Sequence, residues 1–217
     1  MKKFISLFTA IILSFCVCSL PTYAIESPSQ QNDSLSFSNT VTGRLICDDG
    51  SVTPVTGYRR DTPAPASLTS NEHAVTYDYI VPLSNKTHED NVSGYDSTNY
   101  VLATLTIYYT EFDRTPAEYL LTRVTGEWSD PNPSDGTRVS DTADILANCT
   151  GIGTQNIWKR QVKEGTISSG SYMDTDFEYS IQPYDGAMGA FMYLDLSQGS
   201  TRHWTLELEC FPIDPNT

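Results

Sequence analysis

The chain of 217 residues carries 13 basic and 27 acidic side chains, which gives a net charge of −14 with histidine neutral. A surface this acidic repels nucleic acid and anionic membranes, so we exclude both as partners and expect neutral or basic ones. The length suits one domain with an adequate core.

The first 24 residues predict a signal peptide. Lys2 and Lys3 form a basic start, the stretch Phe4–Leu20 is almost wholly apolar, and Thr22 and Ala24 are small residues at the positions that a signal peptidase reads. The apolar stretch is shorter than the roughly 20 residues of a membrane-spanning helix, which disfavours an anchor. We therefore expect cleavage after Ala24 and a secreted, extracellular protein without membrane contact.

The mature protein predicted by this cleavage is more acidic than the whole chain. Loss of Lys2 and Lys3 leaves 11 basic residues against 27 acidic ones, a net charge of −16. Residues 25–34 are polar and predict a flexible leader. Residues 35–217 show no shift in composition and no internal repeat, and we expect them to form a single domain.

Apolar and polar side chains alternate along this domain, which predicts strands with one buried face. The first stretch places Leu35, Phe37, Val41, Leu45 and Cys47 on one face, and the last places Trp204, Leu206, Leu208 and Cys210 on one face. Between them lie predicted strands at residues 75–81, 101–109, 120–128, 158–162, 177–181 and 190–196. In the stretch 158–162 the same rule buries Trp158 and Val162, opposite Lys159 and Lys163.

Turn residues separate these strands. Asp113-Arg114-Thr115-Pro116 predicts a hairpin, Asp48-Asp49-Gly50 ends the first strand, and Pro183-Tyr184-Asp185-Gly186 predicts a tight turn. Helical periodicity is confined to residues 140–148, where Ser140 is a candidate N-cap. A strand through Val139 competes with this short helix.

Eight or more strands separated by turns predict an all-β fold. One solvent-exposed face on each strand favours antiparallel pairing. We expect an antiparallel β-sandwich of jelly-roll or Ig-like type, with a closed β-barrel as the alternative. The stretches Tyr119–Trp128 and Trp204–Leu208 resemble a group of small secreted all-β proteins of Gram-positive bacteria that have no known function. This resemblance implies export and a β-fold, and it supplies no site residues.

Three cysteines remain after the predicted cleavage: Cys47, Cys149 and Cys210. They are too few for a disulfide framework, and their spacing matches no zinc site. If a bridge forms, we expect Cys47 to pair with Cys210, since both continue apolar faces of the first and last strands, which can be neighbours. Three reduced, buried thiols are the alternative.

No catalytic or metal-binding motif stands out, and we predict neither a metal nor a cofactor. His88-Glu89-Asp90 lacks the second histidine of a zinc protease, and residues 130–136 have their glycine one position late for a calcium loop. Five glutamates fall on polar strand faces and leave a glycosidase-type hydrolase open, because such enzymes need two carboxylates across a cleft: Glu111, Glu127, Glu178, Glu207 and Glu209.

Aromatic residues are the strongest functional signal, with 13 tyrosines and three tryptophans. Exposed rings stack on sugars or receive protein partners. Tyr95 and Tyr100, near the end of a long polar loop, and Tyr184, in a tight turn, are the predicted ligand-binding residues. The sequence thus predicts a secreted, non-catalytic binding protein for a glycan or a neutral or basic protein. The alternatives are a secreted hydrolase and an exported toxin or bacteriocin-like protein, and the oligomeric state stays open.

Overall fold

Every regular element in the described part of the chain is a β-strand. The computed structural model describes residues 35–60, 68, 70–82, 100–130, 136–153, 156–182 and 187–211. The strands are β1 (Thr40–Cys47), β2 (Val52–Arg59), β3 (Glu72–Pro82), β4 (Tyr100–Phe112), β5 (Glu118–Ser129), β6 (Thr137–Ile152), β7 (Trp158–Ser168), β8 (Ser171–Asp174), β9 (Ala187–Gln198) and β10 (Arg202–Cys210). Within these ranges no helix has the length and apolar character needed to cross a membrane.

All ten strands belong to one antiparallel sheet in the order β7-β6-β9-β10-β1-β2-β3-β4-β5-β8, and the sheet is nearly closed into a barrel. The all-β antiparallel class predicted from the sequence is confirmed, and the strand order corresponds to the barrel alternative. The described residues all fall within one compact unit, Asp33–Thr217. The predicted signal peptide and leader lie outside the described residues.

The two edge strands of this sheet, β7 and β8, are consecutive in the chain. A two-residue turn, Ser169-Gly170, joins them, and Gly170 has a φ of 76°, a conformation that glycine adopts without strain. The hydroxyl of Ser169 donates to the carbonyl of Trp128 at 2.8 Å and accepts from its N–H at 2.9 Å. This turn therefore brings one edge of the sheet beside the other.

Side chains close the seam, which we define as the gap between β7 and residues 174–182. The amide oxygen of Gln161 accepts the backbone N–H groups of Glu178 at 2.8 Å and Tyr179 at 3.0 Å, and its Nε2 donates to the carbonyl of Tyr179 at 2.6 Å. Lys163 Nζ donates to the carbonyl of Asp174 at 2.9 Å. One glutamine thus makes the bonds that a neighbouring backbone makes elsewhere in the sheet.

The strand predicted at residues 177–181 is wrong for most of its length. Only Ile181 pairs with a strand: it exchanges two backbone hydrogen bonds with Tyr119, at 2.8 and 2.9 Å. Residues 177–180 are not in a strand, and the backbone of Glu178 and Tyr179 is bonded to the side chain of Gln161 instead.

The short helix predicted at residues 140–148 is also wrong, because β6 runs through it. Its inward side chains are all buried: Ala143, Ile145, Ala147 and Cys149. A bulge lies between Val139 and Ala143, and the carbonyl of Ser140 within it accepts the indole N–H of Trp128 at 2.8 Å. The polar residues that resembled a cap are the residues of this bulge.

Tyrosines fill much of the interior, with their hydroxyl groups bonded to backbone. Tyr77 O–H donates to the carbonyl of Ser38 at 2.7 Å, and Tyr79 O–H donates to that of Glu209 at 2.5 Å. Both residues are almost fully buried. This burial raises the pKa of Tyr77 to about 12, and it raises the pKa of Tyr79 by a larger amount. The first and last strands, which the sequence allowed to be neighbours, do pair, and Leu45 of β1 is opposite Leu206 of β10.

The ring of Tyr79 lies directly against Gly57 of β2. A Cβ atom at Gly57 would come within 2.5 Å of two ring atoms of Tyr79, and a Cβ at Gly43 would lie 3.3 Å from the same ring. Because the Tyr79 hydroxyl is fixed by Glu209, the ring has little freedom to move aside.

We therefore expect Gly57→Ala to lower the free energy of unfolding by about 1–3 kcal/mol through overpacking. Urea unfolding followed by tyrosine fluorescence measures the change. Thr56→Ala, at the exposed neighbouring position, is the matched control and should change stability by less than about 0.5 kcal/mol. Equal stability of the two variants would contradict the close packing of Tyr79 on Gly57.

Gln161 bonds to the backbone on the other side of the seam. Gln161→Ala removes the acceptor of two backbone N–H groups and should destabilise the protein by about 1–2 kcal/mol. Amide hydrogen exchange should quicken at Glu178 and Tyr179 more than in β4. Arg160→Ala, on the outward face of the same strand, serves as the control, and unchanged protection at both amides in Gln161→Ala would show that this glutamine does not hold the seam.

Candidate ligand-binding groove

The structure places only one of the three predicted ligand-binding tyrosines. Tyr100 begins β4, opposite Pro82, and is half-buried on the outer face beside exposed Leu102 and Ile80. Tyr95 and Tyr184 lie outside the described residues. The ligand-binding role of the three tyrosines therefore stays a prediction.

Trp158 and Val162 of β7 point away from the core, contrary to the sequence prediction. Their exposed fractions are 59% and 42%. The reason is the position of β7 at the edge of the sheet, where the alternate side chains Gln161 and Lys163 reach across the seam. With those positions occupied, Trp158 and Val162 face the solvent.

The exposed side chains of β7 form one wall of a groove on the outer face of the sheet. This β6 groove has a volume of about 640 Å³, a size typical of small-molecule sites. Residues from β6, β7 and β9 line it: Leu146, Asn148, Thr150, Trp158, Arg160, Val162, Glu164, Ala187 and Phe191. Asn148 and Thr150 of β6 form a polar floor, with Trp158 and Val162 of β7 on one side and Phe191 of β9 on the other.

Phe191 of β9 stands on the opposite side of the groove and contacts two further aromatic rings. The centroid of Phe191 lies 4.9 Å from that of Phe211 and 6.2 Å from that of Tyr193. The ring of Phe211 lies over Gly189, where a Cβ atom would come within 2.6 Å of it. A glycine at this position leaves room for the ring next to the backbone of β9.

The floor offers hydrogen-bonding groups next to these rings. Thr150 Oγ1 donates to the amide oxygen of Asn148 at 2.6 Å, which leaves the amide N–H₂ group of Asn148 as a donor toward a ligand. Arg160 and Glu164 on β7 are exposed and add a donor and an acceptor. Flat rings beside neutral amides and hydroxyls are suited to a ligand that has both apolar faces and hydroxyl groups.

Carboxylates flank the end of the groove at Phe191. Glu209 is opposite Phe191 on β10, and burial raises the pKa of its carboxyl, although a backbone N–H bond from Thr42 opposes this effect. Glu207, two residues before, is buried and bonded to the guanidinium of Arg44 at 3.2 Å from Nε. This end of the groove is therefore unfavourable for an anionic group.

A second cleft of about 420 Å³ lies at the seam, and two of the cationic groups that line it, Arg114 and Lys159, contact side chains of the seam. The carboxylate of Glu118, only 3% exposed, accepts from Arg114 and from the hydroxyl of Ser180, the latter at 2.5 Å. The ammonium group of Lys159 lies 4.2 Å from the ring centroid of Tyr179. We interpret these contacts as part of the closure of the seam.

The predicted pairing of Cys47 with Cys210 is not formed. The strands β1 and β10 are neighbours, as this pairing requires, but the register places Cys47 opposite Trp204, six residues from Cys210. At roughly 3.4 Å per residue the two are about 20 Å apart, far beyond the reach of a disulfide. All three cysteines are free thiols, and burial raises the pKa of Cys149 to about 11 and that of Cys210 above its usual range.

Comparison of the chain with protein-family models, with curated proteins and with solved structures finds no match. The geometry and chemistry of the groove are therefore the basis for a function.

The thiols should differ sharply in reactivity. We expect a thiol reagent such as DTNB to modify Cys47 in the native protein and to reach Cys149 and Cys210 only on unfolding, because both are fully buried. Peptide mapping of the labelled protein under non-reducing conditions identifies the modified residue. Cys47→Ser, the control, should abolish native labelling, and a Cys47–Cys210 peptide would contradict the register of β1 and β10.

Proposed function

We propose that the protein is a secreted, non-catalytic glycan-binding protein and that the β6 groove is its binding site. The observation that carries the proposal is the exposed indole of Trp158 beside the polar floor at Asn148 and Thr150. Sugar rings have apolar faces that stack on aromatic side chains and hydroxyl groups that bond to amides. Both kinds of group are within one groove.

The width of the groove favours a glycan over a protein ligand. The walls stand on β7 and β9, on either side of β6, and two strand spacings are about 10 Å. A stable protein interface buries roughly 800 Å² on each partner, usually around an apolar centre. Here the centre is polar and narrow, which suits a single saccharide chain.

The charges of the groove favour binding over hydrolysis. Among its described lining residues Glu164 is the one carboxylate, whereas glycoside hydrolysis ordinarily uses a pair. Glu207 and Glu209 lie nearby, but on the same strand, and Glu207 is engaged by Arg44. Export by the predicted signal peptide and the acidic mature chain agree with a neutral or basic extracellular ligand.

Replacing Trp158 tests the proposal. Trp158→Ala should weaken glycan binding about tenfold or more, since loss of an aromatic hot spot costs about 2 kcal/mol. Affinity electrophoresis of the mature protein against a panel of polysaccharides selects the ligand, and calorimetry gives its dissociation constant.

The matched control is Tyr58→Ala, which removes a ring of similar exposure, 58%, from β2, three strands away from β9. Glycan binding is also measured for Tyr100→Ala, which tests the tyrosine site predicted from the sequence. Failure of every polysaccharide to bind, or equal affinity of Trp158→Ala and Tyr58→Ala, would overturn the assignment of the groove. Release of reducing sugar from a bound polysaccharide would replace binding by hydrolysis.

A further inference from the structure

We infer that the β6 groove holds an unbranched, uncharged or amino-bearing polysaccharide chain parallel to β6 and contacts several consecutive sugar rings within the chain rather than its end. This inference rests on the proposed glycan-binding function and specifies the ligand class. Three features of the groove carry it: its length, its width and the charges at one end.

The length follows from the register of the strands. Trp158 is opposite Ile152 across β6, and Phe191 is opposite Leu146. Ile152 and Leu146 are six residues apart, which is about 20 Å along a strand. The two aromatic platforms are thus too far apart for one sugar ring or a disaccharide to stack on both. A longer chain lying along β6 contacts both.

The width restricts the shape of that chain. Trp158 and Val162 stand on one side of β6, and Phe191, whose ring contacts Phe211, stands on the other, with about 10 Å between the two supporting strands. A side branch in the plane of the sheet would meet one of these walls. The groove therefore favours an unbranched chain.

The charges at the Phe191 end restrict its composition. The cross-strand row there runs Glu164, Leu146, Phe191, Glu209 on β7, β6, β9 and β10. A carboxylate at each end of the row repels uronic acid or sulfated sugars and tolerates neutral or amino-bearing ones. The arginine of the groove, Arg160, is four residues away from Glu164, toward Trp158.

Oligosaccharides of increasing length test the inference. They are prepared from the polysaccharide that binds best in the screen described above, and calorimetry measures each affinity. We expect at least a tenfold gain from disaccharide to tetrasaccharide, and undiminished affinity per site for a polymer whose chain ends are chemically blocked. Trp158→Ala or Phe191→Ala should reduce the gain from disaccharide to tetrasaccharide to less than threefold, while Tyr58→Ala should retain it.

Phe191 also packs on Phe211, so Phe191→Ala could disturb the fold, and Phe191→Leu is therefore included. Thermal unfolding checks that each variant is folded. Leucine keeps apolar packing but removes the flat platform, so it should also lose the gain with chain length. Equal affinity for monosaccharide and tetrasaccharide, or loss of binding on blocking the chain ends, overturns this inference and leaves glycan binding standing. Stronger binding of a polyuronate than of its neutral counterpart also overturns it. Absence of binding to every glycan overturns both proposals.

Discussion

The closure of the seam by side chains is the constraint on which the outer face of this protein depends. β7 pairs with β6 on one side only, and its other side faces residues 174–182 across Gln161 and Lys163. A long inward polar side chain at an edge strand also blocks pairing with a foreign strand. Since these side chains must point inward to reach the opposite backbone, alternation forces Trp158 and Val162 outward. The exposed ring of the groove is thus a consequence of the way in which the sheet closes.

The second aromatic wall depends on the interior in the same way. Tyr79 packs on Gly57 and bonds to the backbone of Glu209, which holds β10 against the core. Phe211 follows the last residue of β10 and lies over Gly189 beside Phe191. A shift of β10 would therefore displace this wall. The two walls are held by different parts of the fold, the seam for Trp158 and the tyrosine core for Phe211.

Sequence alternation predicted the strands well where their two faces differ clearly. In β4 the buried residues Val101, Leu105 and Ile107 alternate with polar or exposed ones, and the strand is where the pattern placed it. In β7 alternation predicted the wrong buried face, because the face with Trp158 also carries Arg160 and both faces therefore include polar residues. Which face is inside depends on the neighbours of β7, which only the sheet order supplies. The cysteines show a related limit: a pattern of period two is unchanged by a shift of two residues, so it does not give the register of two neighbouring strands.

The described core inside the sheet is closely packed. Its largest side chains, including Leu105, Tyr77 and Met192, are fully buried, and a Cβ atom on Gly126 would lie 2.5 Å from the sulfur of Met192. Side chains packed this closely leave no space for a ligand between these described residues. The binding proposed for the groove therefore uses side chains on the outside of the sheet, next to a strongly acidic surface. Stacking on rings and hydrogen bonds to neutral hydroxyl groups do not require a charged ligand, so the acidic surface can keep the protein soluble without opposing the binding proposed for the groove.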